Sequence, residues 1–175
     1  MIFGMQADTT LTAADLALIW RQCAQDESLP DRYELTEHGE LVMSPSPTNR
    51  HQRVCTEIAF QLRMQLGGEA VVEAAVLTQS AGVRVPDVTW MPTPRWAVVR
   101  TENDLLQAPD LVVEVLSPGN RRAEMAHKLQ AYLASGIGEV IVVALDGGIR
   151  FHRADGVHAE SAFGVVLDLP ADLFN

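Results

Sequence analysis

The sequence predicts an α/β (α+β) fold, a mixed β-sheet flanked by helices. Three observations carry this expectation. The elements run helix, hairpin, helix, strands, helix, strands, an order that packs helices onto a sheet. Leu111–Leu116 is a nearly continuous apolar run, the mark of a central strand covered on both faces. Two stretches, 48–66 and 121–135, carry apolar residues at helical spacing and are followed by glycine.

Thr12-Ala-Ala-Asp15 is a capping-box start, and Leu16, Ile19, Trp20 and Cys23 continue it as a helix over 12–27. Tyr33–Leu35 and Glu40–Met43 form a hairpin, with Gly39 closing the turn between them. Ser44-Pro-Ser-Pro47 punctuates the chain before the 48–66 helix. Val54, Ile58, Leu62 and Leu66 are the buried stripe of that helix. At 100° per residue, His51 falls inside the stripe and Glu57 outside it. Ala70–Leu77 and Val83–Met91 are strand-rich, and 92–109 is loop with room for a short helix. Ser117-Pro-Gly-Asn120 turns into the 121–135 helix. Glu139–Leu145 and Ile149–Arg153 pair around Asp146-Gly-Gly148, and a last strand is expected near Val165–Leu167.

The 175 residues fit one domain, 1–175, with an N-terminal helix 12–27, a core of about 33–145 and C-terminal strands over 149–167. Composition is that of a globular protein, 47% hydrophobic and 21% charged, and no apolar run approaches a bilayer span. Met1–Gln6 has no basic region and no signal-like apolar stretch, so a cytoplasmic location without membrane attachment is expected. Cys23 and Cys55 offer neither a disulfide framework nor metal-ligand spacing and read as small buried residues. The net charge of −10 argues against nucleic acid as a partner, since phosphate contacts need Lys and Arg; a local basic patch is compatible with it.

Two carboxylates sit in apolar surroundings: Asp87 in Val83-Arg-Val-Pro-Asp-Val-Thr-Trp90, and Glu114 in Asp110-Leu-Val-Val-Glu-Val-Leu-Ser117. Strand alternation puts Glu114 on the face of Val112 and Leu116. A charge there is costly unless it meets a cation or several donors. A buried pair with an arginine explains one such residue but is strained by two. Convergent carboxylates are also what a hard divalent ion requires. The chain has twelve Arg and a single Lys, Lys128, at the edge of the apolar face of the helix that follows Glu114. Snorkelling into water accounts for it. The alternative is an ammonium reaching over the sheet to orient water or offset phosphorane charge.

The segments Tyr33-Glu-Leu35, Gly39-Glu-Leu-Val-Met43, His51, Val85-Pro-Asp-Val88, Ala108-Pro-Asp-Leu-Val-Val-Glu-Val-Leu-Ser-Pro118, Glu124, Lys128, Tyr132 and Gly136-Ile-Gly-Glu139 occur in that order. Together they resemble the Uma family of putative restriction endonucleases, within the PD-(D/E)XK nuclease superfamily, over about 33–139. The resemblance implies a restriction-endonuclease-like fold in which Asp87 and Glu114 bind Mg²⁺, with Mn²⁺ as an alternative. The superfamily places a Lys two residues after the second carboxylate, where this chain has Leu116. The family supplies it from the next helix, which makes it Lys128. Two departures are Glu124 in place of the usual Asp, and Val140-Ile141 in place of an aromatic pair.

Glu34 matches the family's acidic position; its other reading is a hairpin salt bridge. His51 reads as a core histidine, and the resemblance makes it a group supporting the site or touching phosphate. Arg50, Arg53, Arg121 and Arg122 are candidates for DNA phosphate contacts, or else solvated helix ends. The expected activity is hydrolysis of phosphodiester bonds in DNA, by a homodimer on the resemblance alone. The alternatives are a non-catalytic interaction module on the same fold and a hydrolase of a small phosphorylated substrate, which suits the acidic charge.

Overall fold

The structure, a computed structural model, describes residues 11–30, 32–43, 46–99, 105–118 and 122–174. Helix α1 (Ala13–Ala24) starts on the anticipated capping box of Thr12 and Asp15 and ends three residues before Glu27. Strands β1 (Tyr33–Leu35) and β2 (Leu41–Met43) form the expected hairpin, with Glu34 opposite Val42. Helix α2 (Asn49–Leu66) is capped by the Thr48 side chain, which accepts from the His51 amide, and ends at Gly67.

Each of the next two expected strands is broken in the middle. Ala70–Leu77 becomes β3 (Glu69–Val72) and β4 (Val76–Leu77), interrupted at Glu73, whose φ is +56°. Val83–Met91 becomes β5 (Val83–Arg84) and β6 (Val88–Met91), interrupted at Val85-Pro86-Asp87, where proline cannot donate to a ladder. Helix α3 (Thr93–Val99) and β7 (Leu106–Gln107) follow, then the central β8 (Leu111–Val115). Helix α4 (Arg122–Ala134) precedes β9 (Glu139–Val143), β10 (Ile149–Arg153) and a short β11 (Gly156–His158) that the sequence pattern did not reveal.

The strands build two mixed sheets. A six-stranded sheet has the order β11-β10-β9-β8-β6-β3 and a five-stranded one the order β2-β1-β5-β4-β7. The breaks at Glu73 and Asp87 are where the chain passes from one sheet to the other. The Glu73 amide donates to the Asp87 carbonyl at 3.1 Å, tying the two passages together. Gly82 lets β1 approach β5: a Cβ there would meet the Leu35 carbonyl oxygen at 2.2 Å, and its φ of +77° disfavours any side chain.

The large sheet is covered on both faces. Val54, Ile58 and Leu62 of α2 share a core with Val88, Val113 and Ile141, while Tyr132 of α4 shares one with Met91, Val112 and Val140. Strand alternation therefore turns Glu114 with Val112 towards α4. No helix among the described residues is long and apolar enough to cross a membrane.

The expected strand at Val165–Leu167 does not form. Val165 and Leu167 are buried, but the backbone beside them pairs with glutamines of α2 instead of a strand. Gln65 Nε2 donates to the Val166 carbonyl at 2.8 Å and its Oε1 accepts from the Val166 amide at 2.9 Å. Gln61 does the same at Asp168, at 2.6 and 2.8 Å. Two side-chain amides thus stand in for a neighbouring strand. Gln65→Ala is expected to cost about 1 kcal/mol and to speed exchange of the Val166 amide, measured by urea denaturation and hydrogen exchange.

Candidate active site

The passages between the sheets bring four ionisable side chains from separate elements to one end of β8. Glu34 of β1 is buried at 4% exposure, and it is held by three donors. Arg84 Nη1 donates to Oε2 at 2.9 Å, the Val85 amide donates to Oε1 at 3.0 Å, and Lys128 Nζ lies 2.9 Å from Oε1. Its partners come from β5 and α4, so it is not the hairpin salt bridge that was the other expectation. Burial pushes its carboxyl up, but the Lys128 charge and these hydrogen bonds outweigh burial and hold it below its ordinary value.

Lys128 also lies 3.6 Å from Glu114 Oε1, so its ammonium sits between two carboxylates and does not snorkel into water. Burial opposes its charge; Glu114 and Glu34 prevail and hold it above the usual lysine range. Glu114 accepts from the Tyr132 hydroxyl at 2.8 Å. Its carboxyl is pushed up to about 7, chiefly by burial, with Lys128 and Tyr132 pulling down and Asp87 and Glu34 pushing further up.

Asp87 sits where β6 begins. Its Oδ2 accepts from the Val115 amide at 2.6 Å, which fixes the carboxylate against the end of β8. Its Oδ1 lies 2.9 Å from His51 Nε2, one α2 turn past the Thr48 cap. That hydrogen bond holds the His51 imidazole above its ordinary pKa. His51 is half-buried and paired with Asp87.

Several contributors escaped sequence reasoning. Arg84 carries no local signal of its contact with Glu34. Glu73, at the left-handed break, accepts from Arg32 and from Gln52 Nε2, the latter at 2.9 Å, and acts electrostatically on His51. A non-glycine residue in the left-handed region carries no sequence signature. Cys55 did have one: it follows His51 by one helical turn, and His51, Cys55 and Asp87 present ligand atoms all within 4.8 Å of one another. Cys55 is buried, as expected for a small packed residue, and its sulfur lies beside this pair. Its thiol is pushed up by burial.

Arg50 is exposed and donates to the Phe174 carbonyl at 3.0 Å; Arg53 and Arg122 are exposed. Arg121 lies outside the described residues.

Glu114 gives the metal-free protein a signed pH dependence. Its folded-state pKa of about 7 lies above the unfolded value near 4.5, so the stability it contributes is full below the unfolded value and lost as pH rises through the folded one. His51, also raised, acts in the same direction. The melting temperature in chelator is expected to fall between about pH 5 and 7.5, by the equivalent of about 3 kcal/mol at most for Glu114. The Glu114→Gln protein should lack that component, which calorimetry across the range would reveal.

The donor set fits a hard divalent cation. Glu34, Asp87 and Glu114 supply three carboxylates, with Lys128 and Arg84 as the cations beside Glu34, Lys128 also beside Glu114, and His51 beside Asp87. Burial is the main cause of the upward displacement of Glu114, and the neighbouring Asp87 and Glu34 charges add to it. Carboxylate oxygens of Asp87 and Glu114 are the ligand type that Mg²⁺ and Mn²⁺ take.

A family model, Uma2, described as "Putative restriction endonuclease", matches residues 20–163. Among solved structures, the chain is similar to one from Anabaena variabilis described as "a putative nuclease belonging to DUF820". The two are 21% identical, the match covers 94% of this chain and 97% of that chain, and the TM-score is 0.67. No curated protein matches. The mixed α+β fold expected from the sequence is observed, built on two mixed sheets, and the Anabaena structure shares it.

Proposed function

The chain belongs to the Uma2 family, whose members are described as restriction endonucleases of the putative kind, and from that membership we propose a divalent-metal-dependent endonuclease hydrolysing phosphodiester bonds in DNA. The observation that supports it most is the meeting of Asp87, Glu114, Glu34 and the only lysine at the end of β8. Asp87 and Glu114 hold Mg²⁺, or Mn²⁺ in its place. When bound, the ion supplies a Lewis acid beside the scissile phosphate. Tyr132 orients the Glu114 carboxylate, and the Val115 amide and His51 orient that of Asp87. Glu34 positions the Lys128 ammonium, which stays charged and offsets negative charge developing on the phosphate. Arg50, Arg53, Arg121 and Arg122 serve the DNA backbone. The enzyme acts as a homodimer, each subunit cutting one strand, a reading that rests on the resemblance alone.

Supercoiled plasmid with Mg²⁺ or Mn²⁺ tests this. The protein is expected to nick or linearise it, and Asp87→Ala to reduce the rate by more than about a hundredfold, beyond what loss of an outer-shell partner does. Equal rates for the two proteins would overturn the proposal. The net charge of −10 favours a second reading, a hydrolase of small phosphorylated substrates, which weak salt dependence of substrate binding would mark.

A further inference from the structure

Asp87 faces two kinds of chemistry. On one side stand the oxygen donors and Lys128; on the other stand His51 and Cys55, an imidazole and a thiol one turn apart on α2. Their ligand atoms and an Asp87 oxygen all lie within 4.8 Å of one another, and His51 Nε2 is 2.9 Å from Asp87 Oδ1. Zinc-class ions bind nitrogen at about 2.0–2.1 Å and sulfur at about 2.3 Å, so small side-chain rotations around a central ion close the triangle. Imidazole and thiolate select such ions, whereas Mg²⁺ keeps to oxygen.

We propose that His51, Cys55 and Asp87 form a second metal site, one for a zinc-class transition ion. Because it uses Asp87, an ion held there competes with Mg²⁺ and suppresses hydrolysis. The competition rests on the nuclease reading above; the site itself does not.

Cys55 is buried, while the side chains of His51 and Asp87 beside it each keep 16% exposure. Glu73 acts electrostatically on both His51 and Cys55 and adds negative charge that favours a cation. Binding sends the thiol proton, and any proton shared between His51 and Asp87, to solvent. Three protein ligands leave a fourth position for water, as in other open zinc sites.

Cobalt reports this site without reference to activity. Co²⁺ titrated into chelator-treated protein is expected to produce thiolate-to-cobalt charge-transfer absorption. Cys55→Ser should abolish that band and weaken Zn²⁺ by at least about tenfold, the scale on which even outer-shell partners act. His51→Ala, at a half-buried position, is the second variant and should shift the visible cobalt bands while leaving the thiolate band weaker. No band in the parent protein, or a band that survives in Cys55→Ser, overturns the site. Excess Mg²⁺ is expected to raise the apparent dissociation constant for Co²⁺. A Cys55-dependent band indifferent to Mg²⁺ would keep the site and contradict the shared use of Asp87, and with it the assignment of Asp87 to the hydrolytic metal.

Discussion

Lys128→Ala is expected to abolish plasmid cleavage and also to destabilise the fold by about 3–5 kcal/mol. Both effects have one cause. The ammonium lies 2.9 Å from Glu34 and 3.6 Å from Glu114, and its removal leaves two buried carboxylates facing each other with only Arg84 to balance them. Removing one partner of a buried ion pair forfeits the attraction and leaves the desolvation penalty of the other. Lys128→Arg separates the two effects. A guanidinium keeps the charge and should restore part of the stability, but its planar fork is too broad to occupy a point between two carboxylates on different elements. Cleavage should stay lost. Urea denaturation and plasmid nicking of the three proteins check this. Cleavage at the parent rate by Lys128→Arg would remove the need for a compact ammonium.

Glu114→Gln is expected to move stability and activity in opposite directions. In the metal-free protein the environment of Glu114 disfavours its ionised form, as its displacement to about 7 records. The amide has the same shape and can still accept from Tyr132 through its oxygen. At pH 8 it relieves the buried charge, a gain of about 1–3 kcal/mol by linkage. The same change removes a hard anionic ligand, so metal binding and cleavage should fall together by more than about a hundredfold. A carboxylate retained only as a structural ion-pair partner behaves differently: its neutralisation takes from Lys128 one of its two carboxylates, leaves Glu34 alone to balance it and destabilises the protein. The sign of the stability change thus distinguishes a functional from a structural carboxylate. Differential calorimetry in chelator supplies it.

Much of this was legible in the sequence, for physical reasons. Leu111–Leu116 announced itself as the covered central strand because it is nearly continuously apolar, and the capping box at Thr12 marked the start of α1. Asp87 and Glu114 stood out because charge in apolar strands is expensive, and Lys128 because no other lysine is present. What stayed hidden depends on tertiary contact. Nothing local distinguishes Arg84, which lies in a valine-rich strand, from any exposed strand arginine; its role follows from β1 pairing beside β5. The break at Glu73 depends on a left-handed backbone that its side chain does not encode. The failed strand at Val165–Leu167 has the alternation of a strand, and only the glutamines of α2, about a hundred residues earlier, reveal why it needs no strand beside it. Cys55 was legible as the i+4 partner of His51 but was set aside because cysteine in a helix is usually packing.

The central claim is that Asp87 and Glu114 hold a divalent ion, and calorimetric titration of Mn²⁺ into the parent protein and Glu114→Gln at pH 8 tests it most directly. The account predicts a saturable site in the parent, accompanied by thermal stabilisation, and its loss in Glu114→Gln while that protein remains folded. Mn²⁺ bound equally by both proteins, or by neither, would contradict it.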